Sequence, residues 1–520
     1  MPDQMATKSI FCDRIACMKL TAVSGIFALL AFASACGGGS MGTGGGGTGP
    51  APESVVVSTT VAGPFNVAMS TSFQPAEWDY QFFTLNPSAT TTLGNLNPRH
   101  IRLQAVSQGV PQGSEGTSST AWDFSMVDAI TQPVLSVADH SPEFQIAKAP
   151  PFLYANNNSS DSFLDLSFAQ FAGYTQNLVE YYNTGGFTAN GQTYVSASYP
   201  TDKITWWGIY NEPNINNNLT AQQYTDMYNA VVPAMQATDP SLKFAALELA
   251  DFSGQVQAWV PTFVSGVTAH VDALATHFYS TCNQQDADQQ IFSTIPGFVS
   301  DVNSIYGSMA TNPALAAVPV WVTENNVNAD FDKGGGISAC NGTPFVADQR
   351  GSSAFFAAWR PYVFSQLGKA GVQALYHWDF DADKQFGEVD YSTGSLQLSY
   401  WVDYWLARMF PTPAGGNLLQ FTSTDDAELE TLPVASANGT VTIMIANHAV
   451  NAPTDNNGPG AARSVSVDVS ALGTFSSASL LVIDSNTNAA SGPSATSVKP
   501  ASPITLSFNG YGVAFLTLTP

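Results

Sequence analysis

The sequence predicts an α/β fold, a (β/α)8 TIM barrel followed by a C-terminal all-β sandwich, and three observations carry that prediction. From about Ser54 to Phe410, short apolar runs of strand length alternate with longer amphipathic runs of helical period. Eight strand candidates can be counted there, the number a closed barrel requires. After Phe410 the helical period stops, and short β-rich runs separated by Gly, Pro, Asn and Ser take over. At 520 residues the chain has room for both units.

Taken in order, Met18-Lys19 opens a mostly apolar segment, Leu20 to Ala33, followed by Ala33-Ser34-Ala35-Cys36-Gly37. Residues 1–36 read as a secretory signal ending at small residues, and Cys36 directly after them resembles the acylated cysteine of a bacterial lipoprotein. Ordinary cleaved secretion and a retained anchor are the alternatives, the last disfavoured because the run is shorter than the ~20 residues a span needs. Translation from Met18 instead of Met1 would give a signal of normal length. The expected location is the cell surface or outer membrane as a lipoprotein, otherwise the periplasm or the medium. Residues 37–53, nearly all Gly, Ser, Thr and Pro, form a tether.

The barrel is expected over residues 54–410. Its strands are Asn66–Met69, His100–Ala105, Gln145–Ala149, Ile204–Tyr210, Lys243–Leu247, Ala273–Tyr279, Val318–Thr323 and Val372–Trp378. Helical patterns intervene at Phe168–Tyr182, Ala221–Ala237, Gln255–Ala269, Gln290–Tyr306, Ser352–Ala370 and Tyr400–Phe410. A doubly wound open sheet is the alternative, and no Gly-rich phosphate loop follows the first strand to favour it. Residues 411–520 are the β unit, to which the β-branched run Val55–Val61 is placed to add a strand.

Composition narrows the partners. Sixteen Lys and Arg face 40 Asp and Glu, a net charge of −24, and charged residues make up only 11% of the chain. Such a surface disfavours nucleic acid and anionic membranes and suits a neutral ligand. Contact with a membrane is expected only through a lipid on Cys36. No cofactor is implied, and no histidine cluster points to a catalytic metal.

The run Ile204-Thr-Trp-Trp-Gly-Ile-Tyr-Asn-Glu-Pro-Asn214 is an apolar strand cut off by Pro213, which cannot continue a ladder. Glu212 therefore stands at a strand's C-terminal end, where barrels carry their active sites. Val318-Pro-Val-Trp-Val-Thr-Glu324 repeats the pattern on the seventh strand. By the period-two rule Arg102 points inward with His100 and Gln104 on strand two, and His277 points the same way as Tyr279 on strand six. Trp378 ends strand eight, and Trp206 and Tyr210 share the parity of Glu212, Trp206 as barrel core and Tyr210 nearer the cleft.

Asn211-Glu212-Pro213 after strand four and Thr323-Glu324-Asn325 after strand seven resemble the acid/base and nucleophile positions of clan A retaining glycoside hydrolases, nearest to glycoside hydrolase family 39, the β-xylosidase and α-L-iduronidase type. The resemblance implies double displacement on a β-glycoside of a plant or microbial glycan, an oligo- or polysaccharide, with Glu324 as nucleophile and Glu212 as acid/base. The charge of Glu324 would keep Glu212 protonated until the first step. It further implies that Asn211 binds the substrate 2-hydroxyl, that Arg102 and Tyr279 orient Glu324, that His277 lines the site, and that Trp378 offers a sugar platform, with Tyr210 beside them. Asn325-Asn326 and Gln104 depart from the family pattern and leave the sugar open. The alternative function is a non-catalytic glycan-binding surface lipoprotein on the same barrel.

In the folded part only Cys282 and Cys340 remain. They fall in the loops above strands six and seven, which adjoin in such a barrel, so a Cys282–Cys340 disulfide is expected, with two free thiols as the alternative.

Overall fold

The structure, a computed structural model, describes residues 52–74, 82–105, 110–113, 119–137, 141–216, 219–250, 258–412 and 415–520. The signal segment, Cys36 and all but the last residues of the tether lie outside the described residues. Among the described residues no helix is long and apolar enough to cross a membrane.

Eight parallel strands close into a barrel: Ala68–Phe73, Ile101–Leu103, Glu143–Ile146, Trp206–Ile209, Lys243–Leu249, Ala273–Thr281, Val320–Asn328 and Ala374–His377. The seventh pairs with the sixth and the eighth, and the eighth pairs with the first, which completes the ring. The interior is filled by a few very large side chains against very small ones. Trp206, Trp321 and Tyr376 occupy it together with Ala68, Ala245, Ala273, Ala275 and Ala374. An eight-stranded barrel has fixed internal volume, so three aromatic rings leave room only for methyl groups opposite them.

The surrounding helices follow from local signals. Helix Ala221–Thr238 starts at a capping box in which Thr220 and Gln223 exchange bonds, and it buries Tyr224, Tyr228, Val231 and Met235 at helical spacing on one side. Helix Ala354–Lys369 is buried on nearly every side. It lies between the barrel and the C-terminal unit, which removes the usual polar face. Its last turn meets that unit through Lys369 and Glu430.

The C-terminal unit is one hydrogen-bonded sheet of nine strands. Its sixth, seventh and eighth strands in spatial order are Gly416–Ser423, Glu53–Phe65 and Arg463–Asp468. Glu53–Phe65, at the N-terminal side of the barrel in sequence, thus belongs to this sheet. It runs antiparallel to Gly416–Ser423 and parallel to Arg463–Asp468, with irregular register around Val61. Bulges of this kind bend a strand, and one apolar cluster collects residues from both sides of it, such as Val465 and Leu506 with Ile443 and Leu516.

A buried polar node at Asp288 joins the units. Asp288 accepts the backbone N–H groups of Asn457 and Gly458 at 2.8 Å each and the Tyr511 hydroxyl at 3.2 Å. Arg350, wholly buried, binds both Asp348 and Asp288, so its charge is matched within the junction.

Candidate active site

The upper ends of strands two, four, five, six and seven converge on Arg102. Its Nη1 donates to Glu324 Oε1 at 2.9 Å, its Nη2 to Asn211 Oδ1 at 2.8 Å, and its Nε to Glu248 Oε2 at 2.8 Å. The guanidinium has no exposure to solvent, and a buried cation is tolerable only with its donors matched in this way. Tyr279 donates its hydroxyl to the other oxygen of Glu324 at 2.9 Å. Glu324 is thereby held at both oxygens.

Glu212 faces it. His277 Nδ1 lies 3.0 Å from Glu212 Oε1 and 3.4 Å from Glu324 Oε2. Burial lowers the His277 pKa to about 3, so the ring is neutral, and the proton is assigned to Nδ1 because both partners there are carboxyl oxygens. One oxygen of Glu212, one of Glu324 and a His277 nitrogen all lie within 4.8 Å of one another. The Glu212 side chain is 16% exposed and that of Glu324 6%; the former is the more open to the cleft.

The acids reach the cleft through broken regularity. On the seventh strand the pairing with the sixth shifts between Val322 and Glu324, so that Glu324 stands opposite His277. Strict alternation from Trp321, which points into the barrel, would have turned Glu324 outward; the bulge at Thr323 turns it in. The fifth strand shifts likewise between Leu247 and Leu249. Tyr210, Glu212, Leu247 and Glu248 all have positive φ, between 45° and 77°, a conformation that non-glycine residues adopt at a cost. The backbone N–H of Glu212 donates to the Glu248 carbonyl at 3.0 Å, which ties the two irregular strand ends together.

Tyr210 is a correction. Its positive φ swings the side chain out of the alternation, and it lies fully buried against Phe163 and Phe171 with its hydroxyl on that of Tyr154. It packs behind the site and does not line it. Trp206, by contrast, packs in the barrel interior. Trp378 is only partly buried at the end of strand eight. Asn326 reaches across to its carbonyl and, at 3.2 Å, to that of Phe386. Asn325 bonds the Phe278 carbonyl at 2.7 Å and receives Arg360. Asn326 thus braces the loop carrying Trp378, while the Asn325 side chain ties the seventh strand to the sixth and to helix Ala354–Lys369.

Sequence reasoning missed Glu248 and Glu143. Both are fully buried on the barrel interior, Glu248 bonded to Arg102 and Glu143 close to the same cation. A lone acid inside the apolar run Phe244-Ala-Ala-Leu-Glu-Leu249 was a usable signal. Alternation counted from Ala245 assigns it to the wrong face, because the bulge is invisible in one dimension.

Cys282 and Cys340 form a disulfide with Cα atoms 5.9 Å apart. It joins the loops following strands six and seven beside the cleft, where it ties the Gly-rich segment after Glu324 to the barrel.

Residues 185–344, the stretch that holds both Glu212 and Glu324, match the glycosyl hydrolase catalytic core family. No curated protein matches the chain in sequence. Among solved structures, a glycoside hydrolase family 39 β-xylosidase from Caulobacter crescentus superimposes with a TM-score of 0.56 at 16% identity, covering 90% of this chain and 100% of that one. A family 51 α-L-arabinofuranosidase from Thermotoga petrophila gives 0.60 at 13% identity, with 89% and 99% covered. The catalytic domain of the family 30 xylanase C from Talaromyces cellulolyticus gives 0.59 at 13%, with 90% and 100% covered. At these identities the likeness is one of fold, shared over barrel and β unit alike.

Proposed function

We propose that this chain is a retaining β-glycosidase in which Glu324 is the nucleophile and Glu212 the acid/base. The observation that carries the reading is the unequal treatment of two carboxyls whose nearest oxygens lie within 4.8 Å. Retaining glycosidases hold theirs ~5 to 5.5 Å apart, whereas inverting ones leave a wider gap for water. A permanent cation and a phenol hydroxyl sit on Glu324, and a neutral imidazole sits on Glu212. A carboxylate stabilised as an anion and aimed into the cleft suits attack on the anomeric carbon; a carboxyl beside a neutral ring suits holding a proton for the departing oxygen.

In the first step Glu324 forms the bond to the anomeric carbon while Glu212 gives its proton to the leaving oxygen. Once glycosylated, Glu324 no longer carries charge, and Glu212, now a carboxylate, removes a proton from the water that cleaves the intermediate. Asn211, anchored by Arg102, is positioned to bond the 2-hydroxyl. Trp378 provides an apolar face for a pyranose. The substrate class is an oligo- or polysaccharide of plant or microbial origin, xylosidic or related, in keeping with the xylosidase and xylanase named among the fold neighbours.

The chain is read as exported, with Cys36 acylated as the anchor of a bacterial surface lipoprotein. The supporting features are the segment before Cys36 and the Gly-rich stretch after it.

A panel of xylo-, gluco-, manno- and arabino-configured aryl glycosides tests the activity, and proton NMR of the first anomer released tests retention. An inverted first product, or no turnover on any member, sinks the reading. In the second case binding of the same glycans by calorimetry would favour the non-catalytic alternative.

A further inference from the structure

The two acids that the reaction does not use lie directly beneath those that it does. Glu143 opens strand three and Glu248 stands at the bulge of strand five; strand four runs between them and contributes Gly208 at that level. A Cβ at position 208 would collide with Glu248 Oε1 and would lie 3.2 Å from Glu143 Oε1 and 2.9 Å from Gln145 Cγ. The glycine leaves the room in which the two carboxyls meet. Both have no exposure to solvent.

Their hydrogen bonding does not close if both are ionised. Glu248 Oε2 takes two bonds from Arg102 and the Tyr376 hydroxyl reaches Glu143, but among the described residues no donor meets the buried Glu248 Oε1, which faces the other carboxyl. Two carboxylates offer each other only acceptors, whereas a single proton makes one of them a donor to the other. The charge count agrees. Glu143, Glu248 and Glu324 surround one guanidinium, and three anions around one cation in a dry interior leave two charges unmatched.

We propose that Glu143 and Glu248 share one proton beneath the active site, so that the pair presents a single negative charge to Arg102 and sets how much of the guanidinium's charge reaches Glu324. Glu248 carries the charge, since it holds Arg102 through Nε and Nη2; Glu143 carries the proton. They are positioning residues, acting on the nucleophile through Arg102. The other titratable groups facing the pair are Tyr376 from strand eight, Tyr224 from the helix outside strand four, and Glu324 itself. Burial raises both members of the pair, which favours a retained proton at neutral pH. The effect on the nucleophile rests on the glycosidase reading; the shared proton does not.

The test therefore has two arms on the full chain. Infrared difference spectra of native protein against Glu143→Gln at neutral pH should show loss of one protonated-carboxyl carbonyl band; an unchanged band overturns the shared proton whether or not the protein hydrolyses anything. In the kinetic arm, Glu248→Gln should move the acidic limb of kcat/KM downward by roughly one pH unit, because Arg102 then serves Glu324 alone. Glu143→Gln, whose amide donates as the acid did, should leave that limb in place. A limb unmoved in folded Glu248→Gln, or moved in Glu143→Gln, overturns the coupling. If Glu248→Gln does not fold, the limb in Glu143→Gln and the infrared band still decide.

Discussion

Arg102 touches Glu324 at 2.9 Å through Nη1 while the opposite edge of the same guanidinium is held by Glu248. The nucleophile proposed here is thus oriented by a residue that is itself locked from below. Rigid support of this kind is what keeps an anionic oxygen within reach of a carbon that must be attacked from one direction.

Removing that oxygen should end the chemistry. Glu324→Ala is expected to lower turnover of an aryl glycoside by more than about a thousandfold, about 4 kcal/mol of barrier, with a circular dichroism spectrum like the native one. Comparable hydrolysis by the folded variant would dismiss Glu324 as nucleophile.

Tyr279→Phe deletes the 2.9 Å bond to Glu324 Oε2 and nothing else of bulk. A hydrogen bond to a charged acceptor is worth about 1.5 to 3 kcal/mol, so kcat/KM should fall roughly tenfold to a hundredfold. Steady-state kinetics that move only KM would place the hydroxyl on the substrate instead.

His448 gives a pH prediction for stability. It is buried beside Phe292 and stacks on Tyr362 at 4.2 Å, and burial lowers its pKa from 6.5 to about 4. The unfolded chain takes up a proton below 6.5 that the folded protein refuses until about 4, so folding stability is lost as the pH falls through that window. His277, lowered to about 3, adds to the same loss. His448→Phe should make the decline shallower by up to about 1.4 kcal/mol per pH unit, read from denaturant melts between those two values. Parallel curves for variant and native protein would show that His448 titrates normally.

The Cys282–Cys340 bridge spans a sequence separation of 58. Closing a loop of that size restricts the unfolded chain by about 4 kcal/mol in the chain-entropy model. Cys282→Ser should lower the melting temperature, and alkylation without reduction should find neither thiol in native protein. Labelling of both cysteines before reduction would rule out the bridge.

Much of this was legible in one dimension. Eight apolar runs, their spacing by helical segments and the change of pattern after Phe410 specify the barrel and the β unit, because burial of a parallel strand demands a continuous apolar stretch. Pro213 marks a strand end, which places Glu212 at the barrel's open face, and Val318–Glu324 does the same on the seventh strand. His277 and Tyr279, on a strand without a break between them, fall on the predicted face.

Where regularity fails, only the tertiary structure decides. The bulges at Thr323 and near Glu248 and the left-handed turns at Tyr210 and Glu212 depend on which neighbouring strand a residue pairs with, and no alternation rule contains that. They turn Glu324 and Glu248 inward and Tyr210 away. The sequence by itself determined which residue types arrive at the barrel's rim. The packing of strand against strand determined which of them meet, since a single residue of register exchanges the two faces of a strand.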